Sequence, residues 1–215
     1  LRRKIVCWLI GKLNNKPMKK LIIAFVITLL FYGCCDQDAV PVTAQDQSQG
    51  QGGSLATFVL KGDYLYVVDE INLNVFDVST PDSPVHKSVV NVGFDIETLF
   101  YHNENLYVGS RTGMYIYDLK NPELPNRLSR VEHFRACDPV VANDSISFVT
   151  LHSNGRCGNN VNQLVVYDTK ILTDPTLITS VDMVSPKGLG LYHNFLLVCD
   201  DEIKVFDVSD PNRPT

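Results

Sequence analysis

Four aspartates recur in one local pattern. Asp77 closes Leu73-Asn-Val-Phe-Asp, Asp118 closes Met114-Tyr-Ile-Tyr-Asp, Asp168 closes Leu164-Val-Val-Tyr-Asp and Asp207 closes Ile203-Lys-Val-Phe-Asp. A ring of carboxylates supplied one per repeat could hold a divalent cation. The same acid, placed at the end of a strand before a turn such as Val78-Ser-Thr-Pro81, could instead accept hydrogen bonds from the backbone amides that follow. An acid present in every repeat favours the second role, so these four are read as structural.

A second set of polar side chains is irregular. Arg135, Asp138, His152 and Arg156 flank or occupy the one copy of the repeat that departs from the others. Two guanidinium groups and an imidazole could bind an anionic group. Asp138 with His152 would make only two metal ligands, too few for a site, so no metal and no cofactor is assigned. Arg135 paired with Asp138 is the plainer alternative. There is no Gly-x-Ser-x-Gly, His-Glu-x-x-His, phosphate loop or dinucleotide fingerprint in the chain.

These residues must be carried by short β-strands. A second apolar landmark precedes each Asp: Leu65-Tyr-Val-Val, Leu106-Tyr-Val, Ile146-Ser-Phe-Val and Phe195-Leu-Leu-Val. Counted from the first landmark residue to the Asp, the spacing is 12 in copies one, two and four and 22 in copy three, which places a ten-residue insertion within 151–162. The Asp residues lie 41, 50 and 39 apart, or 41, 40 and 39 without the insertion. Each unit reads as four runs rich in Val, Ile, Leu, Tyr and Phe, with turn formers between them such as Lys61-Gly-Asp63 and His102-Asn-Glu-Asn105. Four strands in about 40–45 residues is the size of one propeller blade. The expected fold is therefore all-β, a β-propeller of four-stranded blades. A sandwich would not keep so even a spacing, and β-helix repeats are shorter. On this count the strand after each Asp linker opens the next blade as its innermost strand. The chain then reads as an incomplete ring, truncated at its C-terminus.

The motif resembles the LVIVD-repeat family, named for the segment that stands here as Leu-x-Val-x-Asp and its variants. The resemblance runs from about Thr57 to the end. It implies a β-propeller on an extracytoplasmic bacterial protein and implies no activity.

The N-terminal part reads as an address. Residues 1–17 fit no element and look like a non-native leader before Met18. Residues 18–33 read as a signal peptide, with Lys19-Lys20 ahead of an apolar run over Leu21–Tyr32 that is too short to span a bilayer comfortably. Gly33-Cys34 resembles a bacterial lipobox, which makes Cys34 the expected lipid site and the outer membrane, with a surface-exposed option, the expected location. The Phe31-Tyr32 pair departs from the usual lipobox, and an ordinary signal peptide or an uncleaved anchor is the alternative. Residues 34–54, poor in large apolar side chains, read as a flexible tether, and 55–215 as the repeats.

Charge and cysteine usage narrow the function. The net charge of −5 conceals seven basic and no acidic residues in 1–33, against 12 basic and 24 acidic in the rest. That balance excludes nucleic acid as a partner. In an oxidising compartment Cys137 and Cys157, expected at the same end of one blade, could form a disulfide that pins the insertion, with free thiols the alternative. Cys199 is expected to be a small buried side chain in mid-strand. The function these features support is a lipid-anchored binding or scaffold module, with no catalytic residue identified, that meets a protein or glycan through loops at one end. The alternative is a propeller hydrolase or lyase with a divalent metal in its channel. An enzyme of that kind should show acidic or His residues at the equivalent positions Thr57, Thr98, Asp138 and Lys187, which are mixed.

Overall fold

The structure is a computed structural model that describes residues 50–53, 57–132, 139–153 and 161–215. The segments read as leader and signal peptide, the expected lipid site Cys34, most of the expected tether, and Arg135, Asp138, Arg156, Cys137 and Cys157 lie outside these residues. The described chain from residue 50 falls within one compact unit.

Four antiparallel four-stranded sheets follow one another along it. The first blade is β2 (Phe58–Lys61), β3 (Tyr64–Val68), β4 (Asn72–Asp77) and β5 (Val85–Asn91). The second is β6 (Ile96–His102), β7 (Asn105–Ser110), β8 (Gly113–Asp118) and β9 (Asn126–Glu132). The third is β10 (Val140–Ala142), β11 (Ile146–Leu151), β12 (Gln163–Asp168) and β13 (Thr176–Asp182). The fourth consists of β14 (Leu189–Tyr192), β15 (Phe195–Cys199) and β16 (Ile203–Asp207), with β1 (Gly50–Gly53) paired to β14. These are blades of β-propeller type, as the spacing predicts.

The inner strands touch in chain order, β2 with β6, β6 with β10 and β10 with β14. This corrects the expected blade boundary. The strand after each Asp linker does not open the next blade. It pairs back onto the Asp strand of its own blade, β5 on β4, β9 on β8 and β13 on β12. The physical reason lies in the linker: Asp77 and Val85 are direct partners, so the seven-residue connection is a wide hairpin rather than a crossover. These returning strands are largely exposed, with Val85 and Val89 both more than half accessible, as befits an outermost strand. Each also carries a register shift at the same place, opposite Val75/Phe76, Ile116/Tyr117 and Val166/Tyr167. A bulge repeated at one point adds local twist to every blade. In the fourth blade Thr215 exchanges two backbone hydrogen bonds with Asp207, at 2.7 and 3.2 Å, in the register where Val85 meets Asp77.

A second correction concerns alignment. Strand pairing makes Asp77 face Tyr64, Asp118 face Asn105, Asp168 face Ile146 and Asp207 face Phe195. Ile146 and Phe195 therefore correspond to Tyr64 and Asn105, one residue before the landmarks Leu65 and Leu106. A one-residue slip moves every side chain to the opposite sheet face. A third correction concerns the tether. Its last residues before Ser54, Gly50–Gly53, are a strand, because backbone pairing with Gly190 and its neighbours needs no large side chains.

Two apolar clusters fill the space between blades. Tyr66, Val68, Leu73 and Val75 of the first blade meet Leu106, Val108, Tyr115 and Tyr117 of the second. Tyr107, Met114 and Ile116 on the other face of the second blade belong to a cluster that runs through the third blade to Leu189, Leu196 and Val198 of the fourth. The two middle blades are thus buried on both faces, and β11 is buried at all six positions. The outer two are buried on one: Phe58 and Leu60 of β2, and Leu197, Ile203 and Val205 of the fourth blade, are exposed. Cys199, at the end of β15, shares that open face and is an exposed free thiol rather than the expected buried side chain.

Candidate functional site

The four repeat aspartates share one end of the blades, and each does the same thing. Asp77 accepts from the amide of Ser79 at 3.0 Å, Asp118 from Lys120 at 3.4 Å, Asp168 from Lys170 at 2.9 Å and Asp207 from Ser209 at 2.9 Å. This is an Asx turn, in which the carboxylate satisfies an amide that the turn would otherwise leave unpaired. Bonds from Ser79 hold the Asp77 carboxyl below the usual aspartate range, and Ser209 does the same for Asp207. A second bond locks the same corner in all four blades. Val78, Leu119, Thr169 and Val208 donate their amides to the carbonyls of Asp63, Glu104, Ser145 and Asn194. The blades are also tied to one another here. Lys61 meets Glu104, His102 meets Asp144 at 2.8 Å, and Tyr66 donates to the carbonyl of Pro122 at 2.9 Å. The carboxylates are spent on turns and contacts, so this end is a structural seam.

The opposite end carries the variation. Val68 pairs with Leu73, Gly109 with Met114, Thr150 with Leu164 and Cys199 with Ile203. The residues enclosed number four, four, thirteen and three. The insertion in the third blade is therefore nine residues longer than in the first two, and ten longer than in the fourth. Its base is clamped. The Ser153 amide and hydroxyl both donate to the Asn162 side-chain oxygen, at 2.9 and 3.2 Å, and Met183 donates to the Asn162 carbonyl at 2.9 Å. Beneath it Thr150 donates from Oγ1 to the Lys187 carbonyl at 2.7 Å, which joins the third blade to the approach of the fourth. His152 sits at this base and is 9% exposed. At the same end β9 finishes opposite Gly113 and β10 begins opposite Val149, near the close of β11. Of the four candidate residues, the structure places His152 alone. Arg135, Asp138 and Arg156 lie outside the described residues, as does the expected Cys137–Cys157 pair.

Two aspartates at this end were not singled out from sequence. Asp69 accepts from the amides of Ile71 and Asn72 at 2.9 and 2.7 Å, and these bonds hold its carboxyl below the usual range. Asp200 occupies the equivalent position after β15. Its carboxylate accepts from Lys204 Nζ at 2.6 Å, from the Val184 amide at 3.0 Å and from the Ser185 amide. Burial pushes the Asp200 carboxyl up, but Lys204 and the two amides outweigh it and bring the group down to about 2. At this end of the second blade, Arg111 and Asp95 form an ion pair at 3.0 Å. Carboxylates held this low, with their oxygens already occupied, stay ionised at neutral pH and are poorly suited to general acid–base work. The signal that could have found them is the Asp-acid pair Asp69-Glu70 and Asp200-Asp201 directly after equivalent strands. The residues that open the inner strands also shift by one under the structural alignment. They are Thr57, Thr98, Pro139 and Gly188, with no carboxylate or imidazole among them.

Serial four-stranded blades, an invariant seam at one end and loops of unequal length at the other define a repeat β-propeller module. Residues 52–92 match the model of the LVIVD repeat, a span that ends within one residue of β5 and takes in the whole first blade. That segment of the chain is thus an LVIVD repeat, and the later blades share its strand pattern. No curated protein matches it.

Proposed function

We propose that this chain is a lipid-anchored recognition module of a bacterial cell envelope, held through Cys34, that binds an anionic partner at the loop end of its third blade. The reading rests on one observation. Thirteen residues span a hairpin that takes three or four elsewhere, and they stand on a base fixed by Asn162, Ser153 and Thr150. Loops on a rigid scaffold are where binding residues concentrate. In the sequence, the insertion contains Arg156 and the segment between β9 and β10 contains Arg135, two groups suited to bidentate contact with a sulfate or carboxylate. The partner is a protein or glycan that presents such a group.

The test is binding of the full chain to immobilised sulfated and sialylated glycans, compared with Arg135→Ala/Arg156→Ala. A loss of roughly tenfold or more in affinity, in keeping with two charge-assisted contacts, supports the site if the β-sheet spectrum is unchanged. Equal binding by both proteins removes it. Metabolic labelling with a fatty acid, lost in Cys34→Ser, tests the anchor separately.

A further inference from the structure

The innermost strand of each blade has one edge turned away from the rest of its sheet. On β2, β6 and β10 no strand among the described residues pairs with that edge. On β14 one does. β1 runs antiparallel to it, with Gly50 opposite Tyr192, Gln51 opposite Leu191, Gly52 opposite Gly190 and Gly53 opposite Leu189. The fourth sheet therefore begins one strand further in than the other three. β1 also lies beside β10, so it sits where the inner strands of the third and fourth blades adjoin. Only residues 54–57 separate it from β2, so the stretch of chain that leads into the first blade runs along the fourth.

Two features set this edge apart. The strand register makes Gly190 the equivalent of Val59, Phe100 and Val141 in the other blades. A glycine inside a strand marks a place where another backbone comes close. The strand that lies there is matched to it: three of its four residues are glycine, and Gly52 stands directly opposite Gly190. At that pair only main chain meets main chain. Glycine also loses more freedom on ordering than any other residue, so this pairing is easily undone.

We propose that the inner edge of β14 is a main-chain binding edge for an extended, glycine-rich peptide, and that Gly50–Gly53 fills it in cis as a removable strap. An unpaired row of strand amides and carbonyls is a template for an added strand, and main-chain bonds supply the affinity of such additions. The class of peptide is read from the strand already in place. A peptide of the same kind supplied in trans competes with the strap for the edge. This site stands apart from the anionic one and does not need it.

The experiment uses the full chain in a mild detergent, with residue-resolved amide exchange over Leu189–Tyr192. Successive amides of a strand point to its two neighbours in turn. β15 therefore protects one alternate pair of these four amides and β1 protects the other. Gln51→Pro/Gly52→Pro removes one amide from each edge of β1, so a bond to β14 is lost whichever edge faces it. In this variant the pair that faces β1 should lose its protection, while the pair that faces β15, and β15 and β16 themselves, keep their rates. A synthetic peptide with the sequence of residues 47–54, added at millimolar concentration, should restore protection of the exposed pair. The same peptide with both prolines should not. Equal rates in wild type and variant overturn the proposal, as does a native peptide that restores nothing or one that the proline peptide equals. Loss of protection through the whole fourth blade overturns it too, because β1 would then belong to the framework of the blade and could not be a removable strap.

Discussion

Asp200 ties the connection that follows β13 to the fourth blade through one side chain. Its side chain has no exposed surface, and it collects the amides that follow β13 as well as the ammonium of Lys204. Because its folded value lies below the ordinary aspartate value of roughly 4, its contribution is complete above that pH and is lost as the pH falls towards about 2. Asp200→Asn is therefore expected to be less stable than wild type at pH 7, by about 1–3 kcal/mol, the usual cost of leaving buried donors poorly satisfied. It should also show a shallower loss of stability between pH 4 and pH 2. Denaturant titrations at several pH values read both effects. Equal slopes for the two proteins would remove Asp200 from the account. This role was not legible in the sequence, because it depends on residues 184 and 185 arriving beside 200, and nothing local announces that.

At the scale of elements, the repeat predicts that equivalent positions are alike, and the structure shows where they are not. Leu73 and Ile203 occupy the same register four residues before their aspartates. Leu73 is fully buried against the second blade and Ile203 is 70% exposed. Leu73→Ala is expected to cost about 2–5 kcal/mol by leaving a cavity in a packed core. Ile203→Ala in this chain should cost almost nothing, because the side chain it shortens is already exposed, as measured by chemical unfolding. The strands themselves and the Asp turns were readable from alternation and spacing. The blade boundary was not, because a seven-residue linker is long enough for either a hairpin or a crossover. The slip in the third and fourth copies was not readable either. When both faces of a strand are apolar, as in Phe195-Leu-Leu-Val, the pattern fits two registers equally, and only the length of a turn at its start decides between them. The third-blade insertion was located correctly, but the clamp at its base depends on Asn162, which no motif marks.

At the scale of the molecule, burial is graded along the arc. The second and third blades are covered on both faces and the first and fourth on one. Stability in such serial folds is carried by nearest neighbours, so a unit with one neighbour opens more readily than a unit with two. In dilute solution, hydrogen exchange is expected to be slowest in β7, β8, β11 and β12 and faster in β2, β15 and β16, read by mass spectrometry of peptic fragments. Uniform protection across all four blades would show that they open as one cooperative body instead.

The seam of aspartate turns has a consequence for how such a chain can change. In every blade the Asp strand is indexed from its final residue, through the Asx turn and the amide that follows it. The far end of the same hairpin encloses three, four or thirteen residues with no change in which side chains point inward. The blade thus keeps its ruler at one end and its slack at the other. Inserting or deleting residues at the slack end leaves the zero mark untouched, so recognition loops can be lengthened, shortened or exchanged without rewriting the core beneath them.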